Sequence, residues 1–444
     1  MIPLSFLLAT CAQGAPAAVS ARDQAAPPVV IEWCQGRVRP LDELAREIST
    51  VPTAAAPAPR VVIVGRAYEG TRELVEFERD LVARAANFDV VALDVGLFEG
   101  EAADRYVRTG QGDPRALAET FGAWGWSVRE TTAVLEALRA RETKPAVVGI
   151  GVGSPKAPAE AALQFIEKIS PSSSARAELV MAPLRSDGIN GRPRYYQLSE
   201  NQRGILRFGV MEIRDLLSDQ RETLADMAKP AEFDRAFRVL DAVRQYEETM
   251  RFEFEPADSD PRGRILAENL VHALASRPET ARALVLVRMR DLGRVGDPGT
   301  LPAQLRTLGS LEATCVATAC GAATFRAYDP NDHVPGPLVT REVVAKAEQQ
   351  TPFERALNAA SSARSGTAAA SPCWFDLRHA AVDGEVAAWL AVRRTLRSSG
   401  AWCGGAVETP WDYDTLRDFD AIVWFPQVTA GTPREPVKAP EPGK

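Results

Sequence analysis

The sequence predicts an α/β fold: a mainly parallel central sheet flanked by helices, with a helical insertion lobe. Two observations carry this prediction. Short apolar runs, each followed by a turn and an amphipathic stretch, recur along the chain, and this alternation of strand and helix is typical of parallel sheets. The long stretch from Pro155 to about Ala275 instead has a helical period and a more polar composition. We therefore expect a lobe of helices at about residues 155–280.

The first strand and helix are predicted within residues 60–86. The run Arg60–Val64 has the length of a buried strand and ends at Gly65. After a turn, apolar side chains recur on one face of a helical pattern, at Leu74, Phe77, Leu81, Val82 and Ala85. Because ligands of α/β proteins bind just beyond the carboxyl ends of the strands, the turn Gly65–Thr71 is the first candidate for a functional site.

Further apolar runs are predicted as buried strands of the same sheet, and they are Asp89–Val95, Ala146–Ile150 and Ala283–Val287. Start signals predict the helices between them. Asp113 is an N-cap followed by Pro114 in the first turn, and Ser127 with Glu130 has the spacing of a capping box. The Gly-rich turn Gly149–Pro155 lacks the full dinucleotide fingerprint and a P-loop lysine, so we interpret it as a tight turn rather than a phosphate cradle.

The C-terminal part is predicted to complete the sheet. Glu312–Ala319 and Ala322–Ala327 are interpreted as a pair of strands around a Cys-Gly turn. Thr351 and Glu354 have the spacing of a second capping box, at the start of a helix. Later strands are predicted at Trp374–Arg378 and Phe419–Phe425.

The two ends of the chain have a different character. The apolar run Ile2–Ala9 precedes Cys11 and a small, polar run, so residues 1–28 are interpreted as a signal-like segment and linker before the main domain at 29–444. We expect an exported protein, either periplasmic or lipid-anchored through Cys11. Because no Lys or Arg precedes the apolar run, a cytoplasmic protein is the alternative. The tail 432–444 is rich in proline and charge, which is typical of disorder.

Composition excludes several function classes. The 444 residues are 45% hydrophobic and 25% charged, as in a soluble globular protein. A net charge of −7 argues against a nucleic-acid partner, which usually needs a basic face. No apolar run reaches the roughly 18–20 residues that cross a bilayer. We predict neither a metal nor a cofactor, since the cysteine spacings fit no zinc pattern. The sequence does not indicate an oligomeric state.

Six cysteines are scattered along the chain. Most are expected to be buried and unpaired, although one or two disulfides would form in an oxidising compartment. The sequence leaves the pairing open among Cys34, Cys315, Cys320, Cys373 and Cys403.

The turn after the first strand resembles the first signature of the erythromycin esterase family, which reads Gly, Glu, two variable residues, His, Gly, Thr. Gly65, Gly70 and Thr71 match it, whereas the Glu is replaced by Arg66 and the His by Glu69. Weaker similarities, such as a Trp-led helix at Trp124, extend from about Arg60 to Thr429. The resemblance implies a hydrolase of carboxylic esters such as macrolactone antibiotics, in which a His and carboxylates at the strand ends activate water.

The projected site departs from the family at several positions. An acidic residue is kept at Asp94, but Arg288 and Asp291 stand where the family has two histidines, and Gly151 stands where it has Asp. The chain has three histidines, His272, His333 and His379, and none falls on a family site position. The residues projected onto the site carry three positive and three negative charges, and they are Arg66, Glu69, Asp94, Arg288, Arg290 and Asp291.

These charges support three hypotheses. The first is a catalytically silent relative, in which an ion-pair cluster replaces the hydrolytic site and binds a polar or anionic small molecule between Arg66 and Arg288. The second is an active ester hydrolase, with Glu69 or Asp94 as the base and an Arg holding the oxyanion. The third is an envelope interaction module in which the helical lobe contacts a partner. A nearby Arg lowers a carboxyl pKa and burial raises it, so the sequence alone leaves the choice open.

Overall fold

The computed structural model describes most of the chain between residues 25 and 432. The described ranges are 25–48, 60–84, 87–121, 128–185, 194–224, 226–254, 260–293, 298–328, 340–346, 350–365, 372–378, 384–391, 394–398, 409–413 and 418–432. The signal-like segment with Cys11, the residues Ser127, His333, His379 and Cys403, and most of the C-terminal tail lie outside these ranges.

The described residues form fourteen α-helices and eleven strands. The helices are α1 (Pro28–Gln35), α2 (Leu41–Ile48), α3 (Arg72–Arg84), α4 (Leu97–Thr109), α5 (Pro114–Thr120), α6 (Thr131–Ala140), α7 (Lys156–Ile169), α8 (Pro171–Met181), α9 (Glu200–Asp219), α10 (Pro230–Phe254), α11 (Arg262–Ala275), α12 (Leu301–Gly309), α13 (Pro352–Ser365) and α14 (Gly384–Ala391). The strands are β1 (Val38–Pro40), β2 (Val61–Arg66), β3 (Val90–Leu93), β4 (Ala146–Gly149), β5 (Ala283–Arg288), β6 (Ala313–Tyr328), β7 (Thr340–Ala345), β8 (Cys373–Asp376), β9 (Arg394–Ser398), β10 (Thr409–Tyr413) and β11 (Ala421–Val428).

A single mainly parallel sheet forms the centre of the fold, as predicted. Its strand order is β1-β8-β11-β6-β2-β5-β3-β4, and β7 is added to β6. Every pairing from β11 across to β4 is parallel, whereas β1, β8 and β7 join in antiparallel orientation. Strands β2, β3 and β5 are buried along their whole length, because helices cover both faces of a parallel sheet.

The apolar side chains form two separate clusters. The larger one lies between the sheet and its flanking helices and includes Leu266 and Leu270 of α11. The smaller one is built by helices α7 to α10, with Val180, Val210 and Val243 among its fully buried members. Helices α7–α10 therefore have an apolar core of their own, whereas α11 packs with the sheet.

The predicted pair of strands around Cys320-Gly321 is wrong, because β6 runs through that position without a turn. Gly321 lies inside β6, opposite Pro426 of the parallel strand β11. A Cβ atom at Gly321 would lie only 2.5 Å from the carbonyl oxygen of Pro426. The glycine thus marks a position where two strands approach closely, which is one of the reasons why glycine occurs within strands.

Two helix starts are confirmed at the atomic level. The carboxylate of Asp113 accepts a hydrogen bond from the backbone N–H of Arg115 at 2.9 Å, as an N-cap should. Thr351 and Glu354 form the expected reciprocal pair, in which each side chain accepts from the backbone N–H of the other, at 3.2 and 3.0 Å.

Four cysteines are buried in the described part of the chain, namely Cys34, Cys315, Cys320 and Cys373. Burial raises the pKa of the Cys34 thiol to about 12, and this thiol is therefore protonated and unreactive at neutral pH. Within the ranges that the structure describes, no helix combines the length and the apolarity that crossing a bilayer requires.

The contact at Gly321 predicts a stability difference between two glycine substitutions. We expect Gly321→Ala to lower the free energy of unfolding by about 1–3 kcal/mol. Its methyl group would collide with a backbone carbonyl, and no side-chain rotation can relieve that collision. Gly204, inside α9, has open space around its Cβ position, so Gly204→Ala should raise stability by about 0.5–1 kcal/mol. Urea denaturation of both variants checks this, and equal effects would contradict it.

Candidate functional site

The site lies where the carboxyl ends of β2, β3 and β5 meet. Strand β2 pairs in parallel with β5, and Arg66 stands directly beside Arg288 in the register. Strand β5 is also paired with β3, so Asp94, one residue beyond the end of β3, lies at the same edge. The sequence analysis predicted a site from residues at the ends of these strands. The topology places those residues at one edge of the sheet.

The turn between β2 and α3 is fixed by a hydroxyl group from the neighbouring strand. Thr318 on β6 accepts a hydrogen bond from the N–H of Ala67 at 2.7 Å and donates its own hydroxyl to the carbonyl of Gly65 at 3.0 Å. Gly70 has a φ of +68°, which favours glycine, and the chain then enters α3. These contacts place the side chain of Glu69 in the interior.

Glu69 carries a carboxyl group that is buried in the interior. Its exposed fraction is 1%, and neither of its oxygens accepts a hydrogen bond from any residue that the structure describes. The nearest cation is Arg288, whose Nε lies 4.0 Å from Oε1. Burial raises the pKa of Glu69, and the attraction of Arg288 and Arg66 only partly opposes this rise.

Arg262, the first residue of α11 after the N-cap Pro261, binds two of the carboxylates at once. Its Nε donates to Oδ1 of Asp291 at 2.8 Å and its Nη2 to Oδ2 of Asp291 at 3.2 Å. The same Nη2 also donates to Oδ2 of Asp94. Burial would lower the pKa of Arg262, but the two carboxylates raise it above its ordinary value, so the guanidinium stays charged.

Arg288 faces the three carboxylates at longer distances. Its Nε lies 3.7 Å from Asp291, 3.9 Å from Asp94 and 4.0 Å from Glu69. These distances allow ion pairing but exceed those of direct hydrogen bonds. Burial and the proximity of Arg262 lower the pKa of Arg288. The buried cluster thus has two guanidinium groups and three carboxyl groups.

Two of the predicted site residues are engaged elsewhere. Arg66 forms a buried, bidentate ion pair with Glu78 of α3, with Nε–Oε1 and Nη2–Oε2 distances of 3.0 and 2.5 Å. Arg290 points towards the outside, where its Nη2 donates to Oδ2 of Asp260 at 2.8 Å. The structure therefore brings Glu69, Asp94, Arg288 and Asp291 together and adds Arg262, which sequence reasoning missed.

The Gly-rich turn after β4 packs against the cluster. A Cβ atom at Gly151, the position where the family resemblance expects Asp, would lie 2.3 Å from Oδ1 of Asp94. The carboxylate of Glu99 lies equally close to two other glycines of this region. Cβ atoms at Gly96 and Gly153 would lie 2.5 and 2.6 Å from its Oε2. Acidic side chains therefore fill the space around this turn, which fits a tight turn and disfavours a phosphate group.

The described residues include one histidine and no candidate metal site. His272 lies on α11 as an exposed residue, and partial desolvation of its ring together with nearby Arg238 lowers its pKa. Across the described ranges, no group of three or more His, Cys, Asp and Glu side chains could hold a metal ion.

The comparisons with known proteins agree with this architecture. A family model described as erythromycin esterase matches residues 84–428. Because this match covers most of the chain, the protein belongs to the erythromycin esterase family. A comparison with curated proteins found no match.

Solved structures share the fold over nearly the whole chain. A protein from Bacillus cereus has a TM-score of 0.68 at 15% identity and covers 92% of this chain and 99% of its own. A succinoglycan biosynthesis protein has a TM-score of 0.63 at 16% identity, with 90% and 97% covered. A mutant of the erythromycin esterase EreC in its open conformation has a TM-score of 0.64 at 15% identity, with 84% and 92% covered. At such identities the likeness shows the fold alone.

The double contact of Arg262 predicts a large cost for its removal. Arg262→Met should lower the free energy of unfolding by about 3–5 kcal/mol, because it leaves Asp94 and Asp291 buried without their bonded cation. Arg290→Met is the matched control, since its ion pair is partly exposed and should cost no more than about 1 kcal/mol. Chemical denaturation measures both, and similar costs would show that Arg262 holds no special position.

The raised pKa of Glu69 predicts a specific pH dependence of stability. Below about pH 4.3 the group is protonated in both states and adds no difference. As the pH rises, the unfolded chain loses this proton while the folded protein keeps it, so stability falls until the pH passes the folded pKa. Glu69→Gln has no such proton, and its stability relative to the wild type should therefore increase from pH 5 to pH 8.

Denaturant unfolding of both proteins at the two pH values measures this difference, to which ionisable groups distant from Glu69 contribute equally in both proteins. A difference that is independent of pH would mean that Glu69 titrates normally in the folded state.

Proposed function

We propose that this protein is a catalytically silent member of the erythromycin esterase family, in which a buried ion-pair cluster takes the place of the hydrolytic site. The observation that carries this proposal is the contact of Arg262 with both Asp94 and Asp291. A carboxylate that acts as a general base must reach a water or substrate proton. Here both carboxylates are already bonded to a guanidinium group and buried.

The available cations are also poorly placed for ester hydrolysis. An oxyanion hole needs donors that are aimed at the position where negative charge develops. Arg262 and Arg288 instead face carboxylates, and Arg66 is held by Glu78. Three positions where the family resemblance expects histidine carry Glu69, Arg288 and Asp291, and these side chains lack the near-neutral pKa that makes histidine an effective base.

The ligand of such a silent site follows from its charge. Arg66 and Arg288 both face acidic partners, so an anionic ligand between them would have to displace buried ion pairs. A polar ligand that donates hydrogen bonds suits the cluster better, because three carboxyl groups outnumber two guanidinium groups and Glu69 accepts no hydrogen bond from the described residues.

A second candidate function, ester hydrolysis with Glu69 as the base, is favoured by that same carboxylate. Desolvation raises its pKa towards the range where a carboxylate becomes an effective base, as in enzymes that place a catalytic acid in an apolar site. The second candidate requires an opening to substrate, since Glu69 is buried.

Activity assays on purified protein separate the two functions. With simple aryl esters and a macrolactone as substrates, the silent protein should hydrolyse neither above the buffer rate, and Glu69→Gln should change nothing. Glu312→Gln, a surface substitution in an exposed ion pair with Arg306, is the matched control. Hydrolysis that falls at least a hundredfold in Glu69→Gln but not in Glu312→Gln would overturn the silent function and establish the second one.

A further inference from the structure

Residues 429–432, which we name the strap, leave the end of β11 and run along the turn that follows Glu69. The N–H of Arg72 donates to the carbonyl of Thr429 at 2.9 Å, and the N–H of Gly431 donates to the carbonyl of Gly70 at 2.9 Å. Thr71 and Ala430 form an antiparallel bridge between these two contacts. The strap is therefore paired, backbone to backbone, with residues 70–72 at the carboxyl edge of the sheet.

Two glutamates bind the two ends of the strap. The carboxylate of Glu73 accepts hydrogen bonds from both the N–H and the hydroxyl of Thr429, each at 2.6 Å. The carboxylate of Glu130 accepts from the N–H of Thr432 at 3.1 Å and from its hydroxyl at 2.8 Å. Hydrogen bonds to a charged acceptor are stronger than those between neutral groups. The strap thus joins α3 and the start of α6, which are distant in sequence.

The composition of the strap suits a segment that is held by hydrogen bonds rather than by burial. It reads Thr-Ala-Gly-Thr, so it contributes little apolar surface to the core. Gly431 is buried, and a Cβ atom there would lie 2.5 Å from Val128, which shows how closely the strap is seated. The two threonines are only partly buried, whereas Thr71 beneath them is fully buried.

We propose that the strap keeps the turn with Glu69 closed, and that its release opens the strand-end cluster to solvent. Opening would hydrate a buried carboxyl group that accepts no hydrogen bond from the described residues, so the burial of Glu69 favours release, while the hydrogen bonds of Thr429 and Thr432 to Glu73 and Glu130 oppose it. Segments with few apolar contacts and many hydrogen bonds near solvent are the ones that open locally. The inference holds whether the site is silent or hydrolytic.

Hydrogen exchange of the full chain, read by mass spectrometry, tests the proposal. The double variant Thr429→Val with Thr432→Val removes both hydroxyl groups at nearly constant shape. Amides in the peptide of residues 66–72 should then exchange roughly tenfold faster or more, while peptides of α9 in the lobe stay unchanged. The double serine variant at the same positions keeps the hydroxyl groups and should exchange like the wild type.

Thr307→Val is the control for losing a threonine hydroxyl elsewhere, since it removes a bond to Ala303 within α12. It should leave the turn unchanged. If the valine variant does not fold, Glu73→Gln with Glu130→Gln weakens the same contacts and gives the same readout. Exchange in residues 66–72 that matches the wild type, or that rises equally across the whole sheet, would overturn the proposal.

Discussion

The structure depends on how five ionisable groups are buried together at the carboxyl edge of the sheet. These groups are Glu69, Asp94, Arg262, Arg288 and Asp291. Burying a charge is costly unless a partner and hydrogen bonds compensate for the lost water. Arg262 provides that compensation for two carboxylates, and Arg288 lies within ion-pair distance of all three. The cluster has one more carboxyl group than it has guanidinium groups. Burial raises the pKa of the carboxyl group that remains, Glu69.

The fold delivers these groups from four places, namely the turn after β2, the end of β3, the start of α11 and the end of β5 with its following turn, so the cluster also fixes these elements relative to one another. Helix α11 packs on the sheet through its apolar face and carries Arg262 at its start. The same helix is bound to α10 by a network in which Arg244 and Arg264 each pair with both Glu248 and Glu268. The helices α7–α10 are therefore linked to the site through α11.

The sequence predicted the fold from local patterns, and the family resemblance projected four of the five cluster residues onto the strand ends. Buried strands followed by amphipathic helices identify a parallel sheet, and the strand ends then mark the site. The length of β6 could not be predicted, because Gly321 serves a contact with β11 that only the folded chain creates. The partners of Arg66 and Arg290 depend on α3 and on Asp260, which no spacing in the sequence indicates.

Arg262 was missed for a related reason. Its partners Asp291 and Asp94 lie 29 and 168 residues away along the chain, so no local spacing links them to Arg262. A position in the first turn of a helix, where a long side chain reaches past the helix end, was the available signal. The sequence fell short where a contact joins residues that are far apart along the chain.

A double-mutant cycle between Arg262 and Asp291 tests most directly whether this site is held together as an ion-pair cluster. The free energies of unfolding of Arg262→Met, Asp291→Asn and the double variant give the coupling between the two side chains. A buried, bidentate pair predicts a favourable coupling of about 1–3 kcal/mol. A coupling near zero would contradict the account, because the two groups would then contribute to stability independently.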